Sequence, residues 1–165
     1  ENLPVRWAAL LGALGETDTR RVLKRLRCSN ACIEETAILV RETAGQGVSE
    51  EKASAHPGDI HIRQLLGRYG LCTVERLCAL CAALHPQNAP DCALAAQRAR
   101  QLEADGVCCR VSQLAVNGRD LMAAGIPAGP ALRQVLEALL DGVIRAEYPN
   151  EKPALLAAAQ KIIAS

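Results

Sequence analysis

The sequence predicts an all-α fold: a helical bundle over residues 1–106, then a smaller helical unit over 107–165. Three observations carry this. Ala (29) and Leu (23), both strong helix formers, make up nearly a third of the 165 residues. The aromatics are three, Trp7, Tyr69 and Tyr148, so the side chains that fill pleated sheets are scarce. Apolar residues also recur at helical spacing between capping and breaking residues. The length suits one domain or two small ones, with enough chain to bury a core.

Each element follows from its own pattern. Leu3 to Leu14 reads as a short helix with Pro4 in its first turn, weakened at its end by Gly12 and Gly15. Thr17 or Asp18 can cap a second helix to about Arg27, with Val22, Leu23 and Leu26 facing inward. Ser29-Asn30 caps a third, ending near Gly45-Gln46-Gly47. Residues 47 to 58, polar and containing Pro57-Gly58, read as a loop. Asp59 can cap a fourth helix, stopped at Gly70, and Thr73 a fifth over Val74 to Leu84. Pro90-Asp91 opens a sixth that ends at Asp105-Gly106. Val107 to Ala115 is a connector. A short helix near Asn117 to Leu121, a Gly125-to-Pro130 turn and an amphipathic helix from Leu132 to Ile144 come next. Pro149-Asn150 breaks that helix, and Asn150 can cap the last one.

Composition excludes several functions. The net charge of +1, from 19 basic and 18 acidic residues, does not fit a histone-like nucleic-acid binder, though it permits a local basic patch. Few aromatics argue against a platform that stacks single-stranded bases. No apolar run is long enough to span a membrane, and no secretion signal opens the chain. The eight cysteines sit in helical patterns and read as reduced thiols of a cytoplasmic protein. Cys78 and Cys81 form a C-x-x-C, but no spacing of Cys72, His85 and Cys92 around it matches a structural zinc site, so no metal is expected. Phosphate-loop, dinucleotide and zinc-protease motifs are absent, as is any D-x-D pair for a two-metal nucleotidyl transfer.

Two places suggest phosphate contacts. Arg20, Lys24 and Arg27 fall at i, i+4 and i+7, and Arg21 and Arg25 widen that basic face. A solvated surface helix would look the same. The second place runs from Asn117 to Leu136. Gly125 and Gly129 permit backbone conformations and close approach, and Pro130 suits the first turn of the following helix, whose N-terminus favours an anion. Contacts there would be to backbone phosphate and not to bases. A plain helical hairpin is the competing reading.

The stretch Arg6 to Gly15 looks like the helix of metal-dependent phosphohydrolases that carries a His-Asp pair, but Gly12 and Ala13 stand at the pair's place and cannot ligate a metal. Leu114-Ala115-Val116-Asn117-Gly118-Arg119-Asp120-Leu121-Met122, then Gly125-Ile126-Pro127 and Gly129-Pro130, resemble the C-terminal half of bacterial-type tRNA nucleotidyltransferases, the CCA-adding enzymes with their poly(A) polymerase relatives. Pro149-Asn150-Glu151-Lys152 continues the likeness, Ile60 to Gly70 supports it, and Arg6–Leu11 and Leu23–Asn30 add to it. It covers most of the chain. In that family a catalytic head on a β-sheet precedes helical neck, body and tail.

The resemblance implies that this chain is body plus tail, a piece of a longer protein. It opens at Glu1 with no initiator Met, consistent with such a piece. The implied partners are tRNA and the head of the same polypeptide. The head would use Mg and CTP or ATP, so the piece itself needs no cofactor and is not an enzyme. The RNA-binding candidates are then Arg20, Arg21, Lys24, Arg25, Arg27, Asn117, Arg119, Gly125, Gly129 and Arg133. Arg133 departs from the family pattern, which often has glycine there. The competing expectation is a helical module for protein interaction or dimerisation, through the apolar face of Leu3 to Leu14.

Overall fold

The computed structural model describes residues 2–45 and 59–164, and the described residues are helical, with no strand among them. They divide into two compact units, Glu1–Ala104 and Asp105–Ser165. The expected loop over 47–58 lies outside the described residues.

The first unit holds α1 (Leu3–Leu11), α2 (Gly15–Arg25), α3 (Asn30–Gly45), α4 (Asp59–Tyr69), α5 (Leu71–Leu84) and α6 (Ala89–Ala104). α3 packs on α1, α2 and α5, while α5 and α6 form a hairpin that also holds α4. Ala8, Leu39, Val40, Leu77 and Leu80 make one buried cluster. Leu11, Leu23 and Ile33 make another, with Trp7, Val22 and Cys28 packed against it. Ala8 and Leu11 of α1, and Leu77 and Leu80 of α5, stand three residues apart on one helix face, so burial of that face selects the arrangement.

Several boundaries differ from the sequence expectation. α2 starts at Gly15, ahead of Thr17 and Asp18, because a 3-10 turn over Gly12–Leu14 leads directly into it. α5 starts at Leu71, with Gly70 as its cap at φ 78°, so Thr73 lies inside the helix. Leu26, expected inward, is 55% exposed. α2 has ended by then: Leu26 is its C-cap and Arg27 has φ 54°. The Arg27 N–H donates to the Lys24 carbonyl and the Cys28 N–H to that of Leu23, closing the helix with a Schellman turn.

The second unit holds α7 (Gly118–Ala123), α8 (Pro130–Ile144) and α9 (Lys152–Ala164), with a 3-10 turn at Val111–Gln113. Leu114, Val116, Leu121, Ile126, Val135, Leu139, Leu155 and Ala159 form its core with Cys108. Asn150 is not the expected helix cap. Its side chain reaches back to the connector, accepting from Ala115 N at 2.8 Å and donating to Gln113 O at 2.9 Å. The segment before α9 is thereby tied to the segment before α7.

Two glycines let helices approach partners. A Cβ on Gly118 would stand 3.2 Å from the Leu132 side chain, so α7 sits close on α8. A Cβ on Gly142 would stand 2.0 Å from Tyr148 Oη, so the ring occupies that space. The Tyr148 hydroxyl donates to the Ala138 carbonyl at 3.3 Å.

Candidate nucleic-acid interface

In the first unit the basic residues of α2 have separate fates. Arg20 is half-buried and engaged twice, by Glu16 one turn earlier at 3.0 Å and by Glu34 of α3. These hydrogen bonds raise the Arg20 pKa and hold the Glu34 carboxyl below its ordinary range. Arg20 therefore fastens α2 to α3. Arg21 is exposed and lies 3.1 Å from Asp18. Lys24, Arg25 and Arg27 are exposed. Among the described residues, Arg25 and Arg27 carry no side-chain hydrogen bond or ion pair, and Lys24 has only a Coulombic influence on Glu34. Because α2 ends at Arg25, Arg27 does not share the helical face expected from i+7 spacing; it projects from the turn beyond. The structure thus gives a cationic C-cap in place of a five-residue stripe.

In the second unit, Asn117 is committed to capping. Its side-chain oxygen accepts from Arg119 N at 2.9 Å and Asp120 N at 3.1 Å, and its own N–H donates to Asp120 Oδ2 at 3.0 Å. This reciprocal capping box takes up amides that an anion would otherwise use. Lys152 Nζ lies 2.6 Å from Asp120 Oδ1. That ammonium, followed by the Asn117 N–H, holds the Asp120 carboxyl below its usual range. Capping leaves the Arg119 side chain exposed, and among the described residues it has no partner.

Gly125 and Gly129 have φ of 94° and 133°. Both conformations favour glycine. Gly125 closes α7 with the turn seen at Arg27: its N–H donates to Met122 O, and that of Ile126 to Leu121 O. Apart from each glycine's own chain neighbours, no atom of the described residues lies within 4 Å of a Cβ built on either glycine, so the turn faces open space. Gly129 caps α8 without a side chain, and Pro130 at the first position brings no N–H. Arg133 is exposed and bonded to Glu137 at 2.8 Å, one turn along α8.

Sequence reasoning did not find two structural ties around this site. Lys152 and Asn150 come from the far end of the unit in sequence, and no local pattern links them to Asp120 and Ala115.

The chemistry of the remaining groups is quiet. All eight cysteines are free thiols. Burial, then neighbouring Cys92 and Cys81, pushes Cys78 up to about 11. Burial moves Cys81, Cys92 and Cys108 the same way. Thiols shifted upward are poor nucleophiles near neutral pH. Among the described residues, no group of three or more His, Cys, Asp or Glu side chains could hold a metal ion, and no helix is long and apolar enough to cross a membrane.

Comparison with known proteins adds the family. The CCA-adding enzyme of Levilactobacillus brevis is 56% identical over 45 residues, which is 27% of this chain and 11% of that enzyme. The chain therefore matches a short part of a much longer relative. No solved structure matches it. The family tRNA nucleotidyltransferase domain 2 matches residues 2–159, so nearly the whole chain is accounted for and it belongs to that family.

Proposed function

We propose that this chain is the tRNA-holding part of a CCA-adding nucleotidyltransferase, working by shape and phosphate contact and carrying no catalysis of its own. The observation that carries the reading is Arg119. It is exposed, unpaired among the described residues, and stands in the first turn of a capped helix that ends in a glycine turn open to solvent. A positively charged side chain on a rigid element positions a phosphate without reading sequence. The major groove of duplex RNA is closed to side chains, so a grip by shape suits a folded tRNA.

In this reading the contacts are Arg119, the Gly125–Gly129 turn and the α2 cap of Lys24, Arg25 and Arg27. Arg21 and Arg133 can swing from their exposed one-turn pairs to phosphate at little cost, since such pairs contribute little to stability. Arg20 and Asn117 serve by holding the scaffold. Mg and CTP or ATP belong to a catalytic part of the same cytoplasmic protein.

Gel-shift titration with tRNA at low salt tests this. The chain should bind, and Arg119→Ala should weaken binding to different tRNAs about equally, because the contact is to phosphate. No nucleotide should be added from CTP or ATP. Binding no better than that of a neutral helical protein would refute the reading. Concentration-independent dimers without RNA affinity would favour the interaction module.

A further inference from the structure

Three of the free thiols come together on one helical hairpin: Cys78 and Cys81 on α5, Cys92 on α6. Glu75 of α5 pairs with Arg100 of α6, which sets the register of the two antiparallel helices. Counted from that pair toward the turn at Pro86–Asn88, Cys81 comes level with Leu94, two residues from Cys92. At 1.5 Å of rise per residue that offset is about 3 Å, against roughly 7.5 Å for Cys78. Both sulfurs stand on inward faces. Cys81 follows the buried Val74 and Leu77 at i+7 and i+4, and Cys92 precedes the buried Ala99 by two turns. Ala95, Ala96 and Ala99 keep that side of α6 small, which lets the two helices approach to about 8 Å. The thiols also feel one another: after burial, Cys92 is the largest influence raising the pKa of both Cys78 and Cys81.

We propose that Cys81 and Cys92 are an oxidisable pair whose reversible disulfide locks the α5–α6 hairpin, with a small-molecule disulfide such as glutathione disulfide as the oxidant. The proposal is independent of the RNA reading above. Cα atoms on facing sides of helices about 8 Å apart, offset by about 3 Å, fall within disulfide reach. Two sulfurs are also all that this chemistry needs, whereas the described residues hold no group of three side chains fit for a metal ion. Cys92, nearer the turn and less buried than Cys81, reacts first. Its thiolate attacks one sulfur of glutathione disulfide, breaks that S–S bond and releases one glutathione thiolate. The Cys81 thiolate then attacks the Cys92 sulfur and expels the second glutathione. Two protein thiols are oxidised, the small disulfide is reduced, and the two protons the cysteines lose end on the two glutathiones. The resting state remains the dithiol, because buried thiols attack slowly. The lock closes only as oxidant accumulates.

The test equilibrates the 165-residue chain in glutathione buffers of graded oxidised-to-reduced ratio, then alkylates free thiols and maps the peptides by mass. Cleavage after Arg and before Asp separates Leu77–Pro90 from Asp91–Arg98, so the two pieces stay joined only if Cys92 is bonded to Cys78 or Cys81. In the folded wild type they should stay joined. Cys78→Ser should keep the join and Cys81→Ser should lose it, with circular dichroism confirming that each variant is helical. The folded chain should reach half-joining in a buffer about tenfold or more further toward reduced glutathione than the chain unfolded in urea, because the hairpin holds the sulfurs together. The oxidised chain should also melt about 5 °C higher, a gain that a reductant abolishes. Separate pieces under conditions that attach glutathione to the exposed Cys72 would overturn the proposal. So would a join that survives Cys81→Ser, which would make Cys78 the partner, or equal half-joining buffers for folded and unfolded chain.

Discussion

At Asn117 one side-chain oxygen takes two amide protons, so its removal is a folding change before it is a binding change. Asn117→Ala should cost about 1 kcal/mol in urea unfolding of the chain, the usual effect of deleting a good N-cap. tRNA affinity measured well below the unfolding midpoint should stay the same; a drop there would make Asn117 a direct RNA ligand. Asp120 supplies a pH dependence. Its pKa in the folded chain lies below the ordinary 3.8, through Lys152 first and the Asn117 amide second. A depressed carboxyl stabilises the fold above its unfolded pKa and loses that contribution as pH falls through the lower folded value. Wild type should thus lose stability relative to Asp120→Asn as the pH drops below roughly 5, with both unfolding curves followed by circular dichroism. Parallel loss in the two proteins would deny the ion pair any role. The pattern Asn117-Gly118-Arg119-Asp120 is legible as a helix start and equally as a phosphate site, because the same side-chain types do both. Only the hydrogen bonds separate them.

Among the elements, α2, α7 and α8 end in the same turn, with Arg27, Gly125 and Ala146 in the left-handed position. Sequence shows the second of these, since glycine announces it. The other two look like ordinary helix residues, which is why α2 reads in sequence as reaching Arg27 and its basic face as holding five residues. Helix existence is readable from apolar spacing; helix ends depend on turns that non-glycine residues adopt at a cost set by packing around them. α8 offers a sharper test. Gly142→Ala puts a methyl where Tyr148 lies, and should destabilise the chain by about 1–3 kcal/mol as an overpacked site does. Removing the ring makes room, so Gly142→Ala added to Tyr148→Ala should cost much less than on its own. Additive losses in chemical unfolding would mean that the ring and the glycine do not share that space.

For the whole molecule, an Ala- and Leu-rich chain with almost no aromatics announces an all-α fold, and the fold is all-α among the described residues. Family membership is legible too, chiefly from Leu114 to Pro130. Which charges are spare cannot be read from the chain. Near-neutral overall charge conceals the difference between Arg20, spent on Glu16 and Glu34, and Arg25, Arg27 and Arg119, which are left over among the described residues. Ion pairing across α2 and α3 is a tertiary property, and no spacing within one helix encodes it. The central claim is that these spare cations meet RNA phosphate. Its most direct measurement is the salt dependence of tRNA binding by the chain, compared with Lys24→Ala/Arg25→Ala/Arg27→Ala/Arg119→Ala. Affinity should fall as salt rises, and the log–log slope should be shallower in the variant by about one for each phosphate it no longer neutralises. A slope unchanged by removing all four cations would contradict the account.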